Sequence, residues 1–339
     1  MTVVAGFDVH RGQITFDALN TDTGEVERGR IAPADRAALR QFLARFKGQR
    51  LSAALEATTG WRFVVEELQR IGAEVHLAEP AETSARRGAK RRAKTDRIDA
   101  RHLRELLMQG RLPESWIPPE HILELRSLVR LRKQLVDERT AWLQRIHAAL
   151  FHHGLRLSVK RLEATRARGK LEQLELPGAA RQQVVVALAT IEHLSAQIAP
   201  IDLELERIAR RQPGCRALLG QFGIGARVAT AIVAELGEPR RFSSARQAVR
   251  YAGLDVTVHE SDGRRRAGQL SRQGSPVLRW AVFEAAQGAA YARSPDHQHY
   301  LALRARLGGN RASLEIARKL LRRAYHTLRA LGDEALAPA

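Results

Sequence analysis

The spacing of apolar residues in this 339-residue chain changes once, near Pro118. Before that point, short apolar runs of strand length alternate with stretches of helical period. After it, apolar residues recur every three or four positions over much longer stretches. Strand and helix periods cannot substitute for one another, so this change fixes two kinds of architecture in one chain. Residues 2–9 (TVVAGFDV), 51–57 (LSAALEA) and 74–79 (EVHLAE) read as buried strands. Residues 12–19 and 24–32, joined across the turn-like 20–24, predict a meander. Leu39, Phe42, Leu43 and Phe46 predict a helix over 33–46, and Trp61, Val64, Val65 and Leu68 predict a second that Gly72 ends. The first domain is therefore an α/β layer, partly parallel.

Four acids stand where such a layer presents ligands. Asp8 and Glu56 each fall at the carboxyl end of an otherwise apolar strand. Asp96 and Asp99 lie on a following helix, for which Thr95 is the expected N-cap, and their spacing of three puts both on one side. They belong to the stretch RRGAKRRAKTDRIDARHLRELL (86–107), which carries nine Lys or Arg residues. Two readings remain open here. In one, the surrounding arginines and the positive helix start neutralise the pair. Alternatively, the carboxylates hold a divalent cation with oxygen ligands, Mg²⁺ or Mn²⁺, for phosphodiester chemistry. The basic positions Arg86, Arg87, Lys90, Arg91, Arg92 and Lys94 suit a nucleic-acid backbone under either reading.

The net charge of +19 points to a polyanionic partner, most simply nucleic acid. No apolar run reaches the length of a membrane-spanning helix, and the start MTVVAGFDVH lacks the pattern of a signal peptide, so a cytoplasmic, nucleoid-associated protein is expected. Cys215 is the only cysteine, which excludes an intrachain disulfide and a cysteine metal cluster.

From Pro118 the periodicity predicts one long helix running toward Leu150 and a second over about 179–209, with a helical tip over 162–176 between them. An antiparallel coiled-coil arm or dimer interface and a bundle packed on the core are equally compatible with that spacing. Further on, LLGQFGIGARVATAIVAEL (218–236) reads as helix, turn, helix. Gly223 and Gly225 would then bring backbone N–H groups to a phosphate. Ser243, Ser244 and Ser275 precede helices and are explained as caps. Ser261 is read as a loop serine, placed after a strand-like run and before Asp262, Gly263 and the arginines Arg264, Arg265 and Arg266. Its functional version is a nucleophile toward a phosphodiester that those arginines hold.

In this order the motifs GFDVH, LEATTG, AKTDRIDAR, GIGARVATAIVAELG, RFSSARQAVRYAGLDV and HESDG resemble the DEDD transposases of bacterial insertion sequences, the insertion-sequence one-ten family. The resemblance covers almost the whole chain. It implies a ribonuclease-H/Holliday-resolvase-like α/β domain at 1–115, a long helical, coiled-coil dimerisation region at 116–210, and a mostly α C-terminal transposase domain at 211–339. It also implies that Asp8, Glu56, Asp96 and Asp99 bind Mg²⁺ and that Ser261 is the catalytic serine, forming a covalent serine–DNA intermediate as serine recombinases do. The implied partners are donor and target DNA, a structured non-coding guide RNA, and further copies of the chain, with serine and acids of one active site drawn from different subunits. One departure stands out: the family often has Ser-Gly at the nucleophile, and here Asp262 intervenes before Gly263.

The expected function is thus an RNA-guided DNA transposase or recombinase. A metal-only nuclease of the junction-resolving type, with Ser261 incidental, is the enzymatic alternative. A basic nucleic-acid-binding protein whose acids are caps and ion pairs is the non-enzymatic one.

Overall fold

The computed structural model describes residues 2–86, 95–155, 169, 171, 174–261 and 264–339, which form two compact units, Met1–Ile117 and Pro118–Ala339. Arg87, Lys90, Arg91, Arg92, Lys94, Asp262 and Gly263 lie outside the described residues, as does most of the helical tip expected over 162–176.

In the first unit the strands are β1 (Thr2–Val9), β2 (Ile14–Asn20), β3 (Val26–Ile31), β4 (Arg50–Glu56), β5 (Glu74–Ala78) and the two-residue β6 (Glu114–Ser115). The helices are α1 (Arg36–Leu43), α2 (Trp61–Arg70), α3 (Pro80–Ala85) and α4 (Asp96–Met108). The strands form one sheet in the order β3-β2-β1-β4-β5-β6, with β1, β4 and β5 parallel and the others antiparallel. The meander and the parallel strands follow the hydrophobic pattern. The edge strand β6 was not foreseen, because two residues show no alternation.

Successive side chains of a strand point to opposite faces, and here the two faces do different work. Val3, Ala5, Phe7 and Val9 of β1, Ile14, Phe16 and Ala18 of β2, and Leu51, Ala53 and Leu55 of β4 form one core with Leu39 and Leu43 of α1 and Val64 and Leu68 of α2. The intervening residues face the other way, toward α4, where Ala54 and Ala78 meet Leu103. Glu67 of α2 is fully buried and held by Arg36, Arg40 and Arg70. Their hydrogen bonds, Arg40's foremost, hold its carboxyl down at about 2.

Gly6 fixes how closely α4 approaches. A Cβ at this position would lie 2.0 Å from the backbone oxygen of Ala100 and 2.8 Å from the nitrogen of Arg104, so only glycine lets the helix backbone rest on β1. Arg104 and Asp17 lock that contact. Asp17 is opposite Gly6 in the β1–β2 register, and its carboxylate accepts from Arg104 of α4 on one side and from Arg28 of β3, at 2.7 Å, on the other. Both Asp17 and Arg104 are buried.

The second unit begins with α5 (Glu120–His152) and α6 (Gly178–Arg211), which run antiparallel. Arg132 donates to Asp202 at 2.6 Å, and Arg139 to Ser195 at 3.3 Å. Farther out, Ile146 and Leu150 pack on Val184, Ala187 and Ile191. The two helices pack differently over different lengths. The outer ends pack mainly on each other as an arm, while the inner ends pack on α8 (Ala226–Leu236), where Arg130 pairs with Glu235 and Arg126 donates to the carbonyl of Ala234. Helix α6 contains an 18-residue window of mean hydropathy 1.5, long and apolar enough on average to cross a membrane. Scattered polar residues interrupt every continuous apolar run in it, which is why no such run appears in the sequence.

The remaining elements are α7 (Pro213–Leu219), α9 (Ala245–Tyr251), a hairpin of β7 (Val256–Ser261) and β8 (Arg264–Leu270), α10 (Pro276–Gln287), α11 (His297–Leu307) and α12 (Gly309–Leu331). Ser244 and Ser275 cap α9 and α10 by accepting from the N–H groups of Gln247 and Leu278. Ser243 does not cap; its hydroxyl donates to the Gln247 side chain. Gln212 caps α7 and donates to the carbonyls of Ala335 and Ala337.

Candidate active site

Alternation along the strands places the acids. Asp8 lies two residues beyond Gly6 on β1, so it shares the face on which α4 rests, and Glu56 lies two beyond Ala54 on the same face of β4. Phe7 pairs with Leu55 across the parallel strands, which brings the next residues, Asp8 and Glu56, level at neighbouring strand ends. From the helix side, the N-cap hydroxyl of Thr95 accepts from the N–H of Ile98 and opens α4 one turn before the Gly6 contact. Asp96 and Asp99 stand in that first turn.

The carboxylates of Asp8 and Asp96 converge on His10, just past the end of β1. His10 Nε2 lies 3.1 Å from Asp8 and 3.7 Å from Asp96, and a ligand atom of each of the three residues lies within 4.8 Å of the others. Gln13 donates to the second oxygen of Asp96 at 3.0 Å. The Asp8 side chain is only 14% exposed and that of Asp96 42%, so the group has a walled side and an open side. Burial pushes the Asp8 carboxyl above its ordinary value; His10 opposes the rise, while the charges of Asp99 and Asp96 add to it. Asp99 itself is buried.

The expectation that neighbouring arginines neutralise these acids is answered in part. Arg101 pairs with Glu105, and Arg104 is committed to Asp17. Among the described residues, the ion-pair partner of Asp8 and Asp96 is His10 alone. The donor set is dominated by carboxylate oxygen, which suits Mg²⁺ or Mn²⁺ and not a soft metal. His10 was missed in the sequence. The signal was its position two residues after Asp8, on the same side of a strand that ends between them.

Ser261 requires a correction of surroundings. It is the last residue of β7 and not part of an open loop, and its backbone pairs with Arg264 of β8. Glu260 pairs with Arg265, and His259 with Arg266, so the three arginines lie along the partner strand. The Asp262–Gly263 dipeptide between two extended runs is a strong hairpin signal that the loop reading passed over. Gly223 and Gly225 have different surroundings. Gly223 has φ +87, and a Cβ there would lie 2.5 Å from the Ala285 oxygen of α10, so the turn packs closely on that helix. Gly225 opens α8 with free space beside it. Arg86 ends α3 and donates to the carbonyl of Arg111.

Two family descriptions match this chain: a transposase model of the DEDD type over residues 5–153, and the transposase IS116/IS110/IS902 family over residues 215–302. The "Putative transposase y4rJ" of Sinorhizobium fredii is 30% identical over 325 residues, covering 84% of this chain and 79% of the relative. The "Probable family 20 transposase" of Pseudomonas aeruginosa is 26% identical over 241 residues, or 69% and 70% of the two chains. The "Transposase for insertion sequence element IS1111A" of Coxiella burnetii is 25% identical over 246 residues, or 67% and 64%.

Proposed function

The chain belongs to this family of insertion-sequence transposases, enzymes that act on DNA, and within it we propose that Ser261 is the nucleophile and that Asp8, Glu56, Asp96 and Asp99 form the metal-binding centre. The carrying observation is the gathering of acids from β1 and α4 on one sheet face, with Arg101 and Arg104 of α4 engaged elsewhere. The sheet order, with two antiparallel strands before three parallel ones, supports the ribonuclease-H-like reading of this unit.

In this reading Asp8 and Asp96 supply the first oxygen ligands, while Glu56 and Asp99 complete the negative wall. A bound Mg²⁺ or Mn²⁺ would stabilise charge developing on the phosphate and orient it. Gln13 fixes the Asp96 carboxylate from outside. The Ser261 oxygen bonds to phosphorus as the bond to the leaving sugar oxygen breaks, and the serine proton leaves toward that oxygen or solvent. Arg264, Arg265 and Arg266, set along the strand beside it, hold the phosphate. Arg86, Arg87, Lys90, Arg91, Arg92 and Lys94, with Gly223 and Gly225, contact nucleic-acid backbone. A structured RNA of the element selects the DNA by base pairing, which leaves the protein little need for base readout. Two or more copies assemble, one giving the serine and another the acids.

The test is a trapping assay with Mg²⁺, the element's flanking RNA and labelled donor DNA, resolved under denaturing conditions. A protein–DNA adduct that disappears in Ser261→Ala supports the serine reading. Cleavage without an adduct overturns it in favour of a metal-only nuclease. Asp96→Asn is expected to bind DNA as the wild type does and to form no product.

A further inference from the structure

A second cluster of charge, in the C-terminal unit, has no part in the chemistry above. Helices α9 and α12 line a cavity of about 560 Å³. Each contributes two arginines spaced one turn apart: Arg246 and Arg250 from α9, and Arg318 and Arg322 from α12. Like charges four residues apart on a helix repel each other, so two such pairs facing one space call for an anion.

The described residues supply little of that counter-charge. Arg318 is engaged by Glu315 and by the carbonyl of Leu254. Arg246, Arg250 and Arg322 are exposed and form no ion pair among the described residues. Asp255, the one acid in the lining, is turned to the hydroxyl of Ser271. An ordinary solvated surface would let these side chains spread. Here two packed elements aim them into the same concavity, and guanidinium forks in that arrangement match phosphate oxygens.

We propose that this cavity is a phosphate-binding site for the backbone of DNA, at the foot of the hairpin that carries Ser261. Val256 lines the cavity and begins β7, and Ser261 ends that strand five residues later. At about 3.3 Å per residue the two ends are about 16 Å apart. Phosphates of one duplex strand advance about 3.4 Å each along the axis, so the contact falls about five nucleotides from a phosphate held at Ser261. That distance rests on the serine reading; the anion site does not. Continuity with the hairpin is what favours DNA over RNA as the occupant.

The test uses the full chain and labelled duplexes of arbitrary sequence, one DNA and one RNA, titrated across a range of salt. Each phosphate contact contributes about 0.9 to the slope of log affinity against log salt. The double variant Arg250→Ala, Arg322→Ala is expected to lower the DNA slope by about 1 to 2. Arg304→Ala, Arg306→Ala, an exposed pair on α11, is the control for general loss of charge. Both variants spare Arg318, which bonds backbone, and thermal melting checks that each is folded. An unchanged DNA slope, an equal fall in the control, or a fall confined to RNA would each overturn the proposal. A fall in slope without an adduct at Ser261 would retain the site and remove the distance. An adduct with an unchanged slope would remove the site and leave the serine standing.

Discussion

Helix α4 carries two groups of charge about two turns apart, against the same face of the same sheet, and they have opposite fates. At Arg104 the helix meets Asp17, and the pair is buried and closed by Arg28. At Asp96 and Asp99 the helix meets Asp8, another acid, and among the described residues Asp8 and Asp96 form their ion pairs with His10. One end is finished from within the chain and serves only to hold. At the other, the described residues gather more acid than base on a partly open side, which is poor for stability and useful for binding. Burial of charge alone therefore does not mark a functional site; the sign balance of what is buried does.

Asp17→Ala breaks the closed end and should have the largest effect. It leaves Arg104 buried without its partner, which costs about 3–5 kcal/mol, and a urea melt reads the loss. Gly6→Ala comes next, since the added Cβ meets helix backbone and not a movable side chain. Overpacking of this kind costs about 1–3 kcal/mol, and displacement of α4 should also abolish strand cleavage measured on folded protein. Asp8→Asn works at the open end with the opposite sign. Relieving a repulsion of about 1 kcal/mol should raise the melting temperature of cation-free protein while eliminating DNA cleavage. A fall in melting temperature for Asp8→Asn would mean that the open end is held by attraction and is no different in kind from the closed one.

Much of this was legible in the sequence, for reasons that differ by element. The strands and helices of the first unit follow from period, and the positions of Asp8, Glu56, Asp96 and Asp99 follow from where those elements end. The Asp17–Arg104 pair was not legible, because its members are 87 residues apart and each looks like an ordinary surface charge. Gly6 gave no sign either, since a glycine in a strand announces close approach without naming what approaches. His10 and the β7–β8 hairpin carried local signals, a two-residue spacing and an Asp-Gly turn, that were present and unread. The arginine cavity depends on two helices far apart in the chain, so it exists only once they pack.

Because Gly6 and Asp17–Arg104 dock α4 without help from the acidic end, the site would have its shape before the cation of the proposed reading arrives. Loading is then a matter of ion supply and not of refolding. In the proposed reading a chelator should silence the protein and lower its melting temperature while leaving a cooperative transition, and added ion should restore both. A cell that starves the element of cation would keep the protein idle, intact and ready.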